Sequence, residues 1–241
     1  MKNVVHIYVT DKCTTHCPFC VMASGPMNNN FMDVDKVVGT VEQSLCQGME
    51  NIVRLIGGEP LAHPDFEKVV KTLLKEPLVL KMEVITNGIG LEREILFLKD
   101  FAEKCKKIIN IRLSINYWLL KTNGLYSSEE FLSSFVKEHA SRYLVFTFNI
   151  GIRKGEDWIK EKYSNLASSM KCWARSVHLT EYVPGSNKQC ENGLYLRRNL
   201  ICPHYCEKEE FVMPDGSVLR DAEEAAEWMW SRSKYYENPG E

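Results

Sequence analysis

Short apolar runs alternate with amphipathic stretches along most of the 241 residues, and this alternation narrows the fold more than any other feature. The runs cover residues 4–10, 51–56, 78–86, 108–115, 143–150 and 176–183 and are rich in Val, Ile, Leu, Phe and Tyr, as strands buried on both faces are. Helical spacing fills most of the gaps, over residues 34–45, 66–74, 92–106, 128–139 and 157–170. Val34, Val37, Val38, Val41 and Leu45 recur at helical intervals, Pro64-Asp65 opens the second helix, and Ser127 or Ser128 caps the fourth. Strand and helix alternating in this way predict parallel βαβ units with right-handed crossovers. Six units are too few to close an eight-stranded barrel, so the expected fold is α/β, a partial, open (β/α)6 TIM-like barrel. A doubly wound open sheet is the alternative. In either, chemistry belongs at the C-terminal ends of the strands.

The rhythm breaks after Pro184, and the expected division is a barrel over 1–185 and a small C-terminal cap over 186–241. Within the cap, Phe211–Val212 and 218–219 flank Pro214-Asp215-Gly216 as a short hairpin, and 222–232 reads as a closing helix. Lys and Arg number 30 against 32 Asp and Glu, a balance that gives no nucleic-acid footprint. No apolar run reaches membrane-spanning length and no export signal opens the chain, so the expected location is the cytoplasm, away from membranes.

Nine cysteines, an odd number in such a chain, argue against a disulfide framework and for metal ligation by those that cluster. Cys13, Cys17 and Cys20 form a Cx3Cx2C loop directly after the first strand. Zinc in a structural site takes four ligands. An iron–sulfur cube on three cysteines keeps one iron open to a further ligand. Cys46 and Cys105 lie on apolar helix faces and read as core thiols, and Cys172 reads as structural. His16 sits inside the cysteine loop, facing either a cofactor or solvent, and His63 shapes the start of a helix. The tryptophans read as packing and Arg153 as an exposed side chain.

The Cx3Cx2C loop, with the aromatic Phe19 before its last cysteine, resembles the signature of the radical S-adenosylmethionine (SAM) superfamily. Gly57-Gly58-Glu59-Pro60 after the second strand is similar to that family's GGEP motif, which meets the amino group of SAM. The glycines would let backbone come close, and Glu59 or nearby carbonyls could accept from the ammonium. Weaker likenesses follow along residues 4–185: Thr86-Asn87-Gly88, Ser114 in an SxD-like position whose third residue is Asn116 instead, Asn149, and Tyr182-Val183-Pro184-Gly185. The resemblance implies a [4Fe–4S] cluster on Cys13, Cys17 and Cys20. It also implies SAM contacts from Phe19, Gly57, Gly58, Glu59, Pro60, Asn87, Ser114 and Asn149.

The chemistry implied is reductive cleavage of SAM to a 5′-deoxyadenosyl radical that abstracts a substrate hydrogen, fed by an external electron donor such as a flavodoxin or ferredoxin. The tail resembles a truncated SPASM or twitch extension, with Cys202 or Cys206 and Gly216 in its opening pattern and Asp221 where a cysteine would stand. An auxiliary iron–sulfur cluster on Cys190, Cys202, Cys206 and Asp221, with Cys172 a further candidate, is one reading of it, and a cap that binds no metal is the other. The likeness of the tail to peptide maturases points to peptide modification. The alternatives are a small-molecule biosynthetic substrate, activation of a glycyl-radical enzyme, or a non-enzymatic zinc- or cluster-binding scaffold.

Overall fold

The computed structural model describes residues 2–17, 20, 22, 24–122, 128–152, 155–178, 208–220 and 224. Eight strands form one sheet: β1 (Lys2–Thr10), β2 (Glu50–Gly57), β3 (Val79–Thr86), β4 (Ile108–Ile115), β5 (Leu144–Ile152), β6 (Trp173–His178), β7 (Lys208–Val212) and β8 (Val218–Leu219). Their spatial order is β6-β5-β4-β3-β2-β1-β7-β8, so the sheet is open. Among the described residues seven neighbouring strands are parallel, and only β8 runs antiparallel, against β7. The helices are α1 (Val34–Ser44), α2 (Phe66–Lys75), α3 (Leu91–Cys105), α4 (Tyr117–Thr122), α5 (Glu129–His139) and α6 (Asp157–Ser169).

One apolar cluster takes Val5, Ile7 and Val9 from β1, Val53 and Leu55 from β2 and the alternate residues of β3, β4 and β5, together with residues from all six helices. Alternate residues of a strand point to opposite faces. All six helices among the described residues therefore cover one face of the sheet, which there is not doubly wound. The other face is an inner wall. His6, Arg54, Glu83, Arg112 and Asn149 lie buried on it, one from each of β1 to β5. Arg54 Nε and Arg112 Nη1 donate to the same Glu83 oxygen at 2.8 and 2.9 Å, and Lys81 Nζ reaches the other at 2.8 Å. Arg54 Nη1 lies 3.3 Å from His6 Nε2, and Arg112 Nη2 donates to Asn149 Oδ1 at 3.2 Å. Burial alone would raise the Glu83 carboxyl, but Arg54, Arg112 and Lys81 together hold it well below the usual carboxylate range.

Three features differ from expectation. The sixth strand begins at Trp173, three residues before the predicted start, and the end of the predicted run lies outside the described residues. A helix, α4, follows β4 directly. It forms because Asn116 Oδ1 accepts from Leu119 N at 3.0 Å, a side-chain start signal within an apolar stretch. The hairpin expected in the cap is present, but β7 pairs in parallel with β1 and extends the main sheet. The predicted helix over 222–232 lies, Glu224 apart, outside the described residues.

Candidate active site

The three-cysteine loop leaves the C-terminal end of β1, and the returning chain ties it shut. Asp11 N and Thr10 Oγ1 donate to Asn30 O at 3.3 and 2.7 Å, and Cys13 N donates to Gly25 O at 3.1 Å. The buried Asp11 carboxylate accepts from the backbone and side-chain nitrogens of Asn30. Residues 25–31 therefore run back along 10–13 and fix both ends of the loop that carries the cysteines. Neither Asp11 nor Asn30 stood out in the sequence, because their pairing exists only once the loop has closed.

Within the loop, the Thr15 hydroxyl lies 3.4 Å from Cys13 Sγ and 3.5 Å from Cys17 Sγ, and Cys20 N donates to Cys17 O at 2.9 Å. Burial pushes the Cys13 thiol up to about 12, with the nearby Glu59 charge adding to the shift. Burial likewise raises Cys17 to about 12, with Cys20 adding to it. Thiols so placed become thiolates only against positive charge, which ligated iron supplies. No three Cys, His, Asp or Glu side chains among the described residues meet closely enough to hold one metal ion. The three sulfurs of this loop, two of them flanking a shared hydroxyl, are soft donors of the kind that an iron–sulfur cube on three cysteines takes. Phe19 lies outside the described residues, as do Cys190, Cys202, Cys206 and Asp221.

The Gly-Gly-Glu-Pro segment docks on this loop backbone to backbone. Gly58 N donates to Thr10 O at 2.7 Å and Glu59 N to Lys12 O at 2.8 Å. A Cβ on Gly57, where φ is +137°, would meet Thr10 O at 2.2 Å, and one on Gly58 would meet Lys12 O at 2.0 Å. Only glycine permits either contact. The glycines are half-buried, and Pro60 opens the 3-10 turn Pro60–Ala62.

Glu59 is fully buried. Its Oε1 accepts from Leu61 N at 3.1 Å and Thr86 Oγ1 at 2.7 Å, and its Oε2 from Asn87 N at 2.7 Å. Burial raises its carboxyl to about 7 against the lowering effect of these three donors. Its carboxylate thus ties the end of β2 to the end of β3.

Asn87 turns over the cysteine loop, with Nδ2 at 3.6 Å from Cys13 Sγ and 3.1 Å from Thr14 Oγ1. Ser114 and Asn149 stand opposite each other in register on β4 and β5. Among the described residues Asn149 Nδ2 has no hydrogen-bond partner although it is buried. His63 staples the start of α2 to the loop's exit. Its Nδ1 accepts from Asp65 N at 3.1 Å, so the ring's proton is on Nε2, which donates to Met32 O at 2.9 Å. Burial lowers its pKa. Cys13, Cys17, Cys20, Gly57–Pro60 and Asn87 thus come together at one end of the sheet. Ser114 and Asn149 sit two and three strands along from β2.

Residues 7–118 match the Radical SAM superfamily. The GTP 3′,8-cyclase of Clostridium perfringens strain SM101 is 28% identical over 232 residues, covering 90% of this chain and 66% of the relative. That of Klebsiella pneumoniae MGH 78578 is 33% identical over 95 residues, covering 38% of this chain and 29% of the relative. The chain thus spans 66% of the length of the Clostridium relative. Among solved structures, Streptococcus suis SuiB bound to the precursor peptide SuiA superposes with a TM-score of 0.64 at 12% identity, covering 99% of this chain and 66% of that one. That likeness bears on the fold and agrees with an open barrel. No helix among the described residues is long and apolar enough to cross a membrane. A sheet with its helices on one face, a cysteine loop closed at the end of β1 and a glycine pair seated upon it accompany this match of residues 7–118 to the Radical SAM superfamily.

Proposed function

We propose that this protein is a radical SAM enzyme that abstracts a hydrogen from a peptide substrate. The observation supporting the first part is the seating of Gly58 and Glu59 on the backbone of Thr10 and Lys12, which sets a segment similar to the family's GGEP motif against the loop that carries the three thiols. Members of the superfamily use a [4Fe–4S] cluster and SAM, and Cys13, Cys17 and Cys20 would hold that cluster here. When bound, it supplies the electron that splits SAM into methionine and a 5′-deoxyadenosyl radical. The remaining work belongs to the chain. The carbonyls beside Gly57 and Gly58, rather than the occupied Glu59 carboxylate, accept from the SAM ammonium. Asn149 Nδ2 and Ser114 donate to its carboxylate or sugar. The inner wall shields the reacting carbon from water and places it, since a C–H bond offers no acid–base handle. Electrons come from an external donor such as a flavodoxin or ferredoxin.

The protein is reconstituted with iron and sulfide without oxygen, then given SAM and dithionite. It should hold about four iron atoms per site and release 5′-deoxyadenosine, and Cys17→Ala should do neither. Zinc-loaded, colourless protein that releases none would favour a scaffold. The likeness of the tail to peptide maturases supports a peptide substrate. A small-molecule substrate is the second reading, favoured by relatives named GTP 3′,8-cyclase that match 90% of the chain. Desalted cell extract separates the two. Stimulation of 5′-deoxyadenosine release that vanishes after protease treatment of the extract supports a peptide, and stimulation that survives supports a small molecule.

A further inference from the structure

We propose that Asn87 is a positioning residue that tunes the reduction potential of the cluster through a hydrogen bond from its side-chain amide to Cys13 sulfur; this rests on the cluster assignment above. The amide's orientation is set by its surroundings. Asn87 Oδ1 accepts from Ile89 N at 2.8 Å, and exchanging oxygen and nitrogen would set two donors against each other. The nitrogen therefore faces the cysteine loop, where one hydrogen serves Thr14 Oγ1 at 3.1 Å and the other Cys13 Sγ at 3.6 Å.

The backbone beneath is equally constrained. Asn87 N donates to the buried Glu59, and Gly88 N donates to Thr86 Oγ1 at 2.9 Å, itself bonded to the same carboxylate. Gly88, at φ +87°, makes the turn that keeps the amide above the loop. Asn87 and Cys13 are each only 8% exposed, so little water competes for the bond. A donor aimed at a ligating thiolate withdraws charge from it and stabilises the more negative, reduced centre. Glu59 then has a second duty: it holds the residue that touches the sulfur, so the glutamate of one motif acts on the first cysteine of the other.

The test uses reconstituted, full-length protein and midpoint potentials from redox titration followed by electron paramagnetic resonance. Asn87→Leu keeps the volume and removes the donor, and should move the potential to a more negative value at unchanged iron content. Asn87→Asp keeps the shape and adds an acceptor, and should move it further in the same direction. A second measurement needs no variant. In wild-type protein carrying asparagine labelled with 15N in the side-chain amide, pulsed resonance of the reduced cluster should show a nitrogen coupling. An unchanged potential in a fully loaded Asn87→Leu protein overturns the proposal, as does absence of that coupling in the wild type, whatever the variants do. If the wild type takes up no iron–sulfur cluster, the assignment beneath fails first, so the two failures are told apart.

Discussion

Gly58 shows how little freedom a single position has here. Its amide donates to Thr10 O, and a methyl group in place of its hydrogen would stand 2.0 Å from Lys12 O, a backbone atom with no side chain to swing aside. Gly58→Ala should push the start of the cysteine loop away, costing about 2–3 kcal/mol of stability and lowering iron uptake on reconstitution. Thermal unfolding and iron assay check both outcomes, and unaltered values would show that the contact is looser than it stands. The cysteines and the glycine pair were legible in the sequence because each motif is local and its residue types are rare in such spacing. Asp11, Asn30 and Thr15 were not. Asp11 and Asn30 are ordinary polar residues whose meaning lies in a partner 19 positions away, and Thr15 matters only for its place between two sulfurs. Asn116, which departs from the SxD pattern, has its own local account as the residue that starts α4.

Elements followed the periodicity where an amphipathic stripe was long enough to read. The α1 residues Val34, Val37 and Val41 face the core as predicted. Its start depends on Asp33, whose side chain accepts from Asp35 N at 2.9 Å and Lys36 N at 3.3 Å. Asp33→Ala should lower stability by about 1 kcal/mol, read as a shift of the denaturant midpoint with unchanged slope. At six residues, α4 is too short for a stripe to register, which is why the pattern passed over it. Strand boundaries shifted by a residue or more wherever hydrogen bonding to a neighbour, and not composition, ended the ladder. The clearest case is β6, whose start at Trp173 is set by pairing with Thr147.

Across the whole molecule, the inner wall links five strands through one carboxylate. Glu83 is held below its ordinary value, so its stabilising contribution is present above the unfolded value of 4.5 and is lost as pH falls through the folded one. Glu83→Gln leaves Arg54 and Arg112 buried without that charge and should cost about 3–5 kcal/mol near pH 7. The gap to wild type should narrow progressively below about pH 4.5. Urea unfolding at pH 7, 5 and 3.5 would show it, and a gap independent of pH would mean that packing rather than charge accounts for the loss. The open parallel sheet was legible because strand–helix alternation implies it. The wall was not, since strands buried on both faces read as apolar runs and conceal which polar residues share a face.

The placement of β7 bears on how the chain comes into being. β1 is made some two hundred positions before β7, yet one of its two ladders is with that strand. During synthesis, the strand from which the thiol-bearing loop departs waits with one raw flank until β7 has left the ribosome. Contacts so distant in sequence form slowly, and an unpaired flank invites pairing with other chains. A chain stopped before residue 208 should therefore yield aggregates where the full chain yields monodisperse protein, as size-exclusion chromatography of the two expressed in parallel would show.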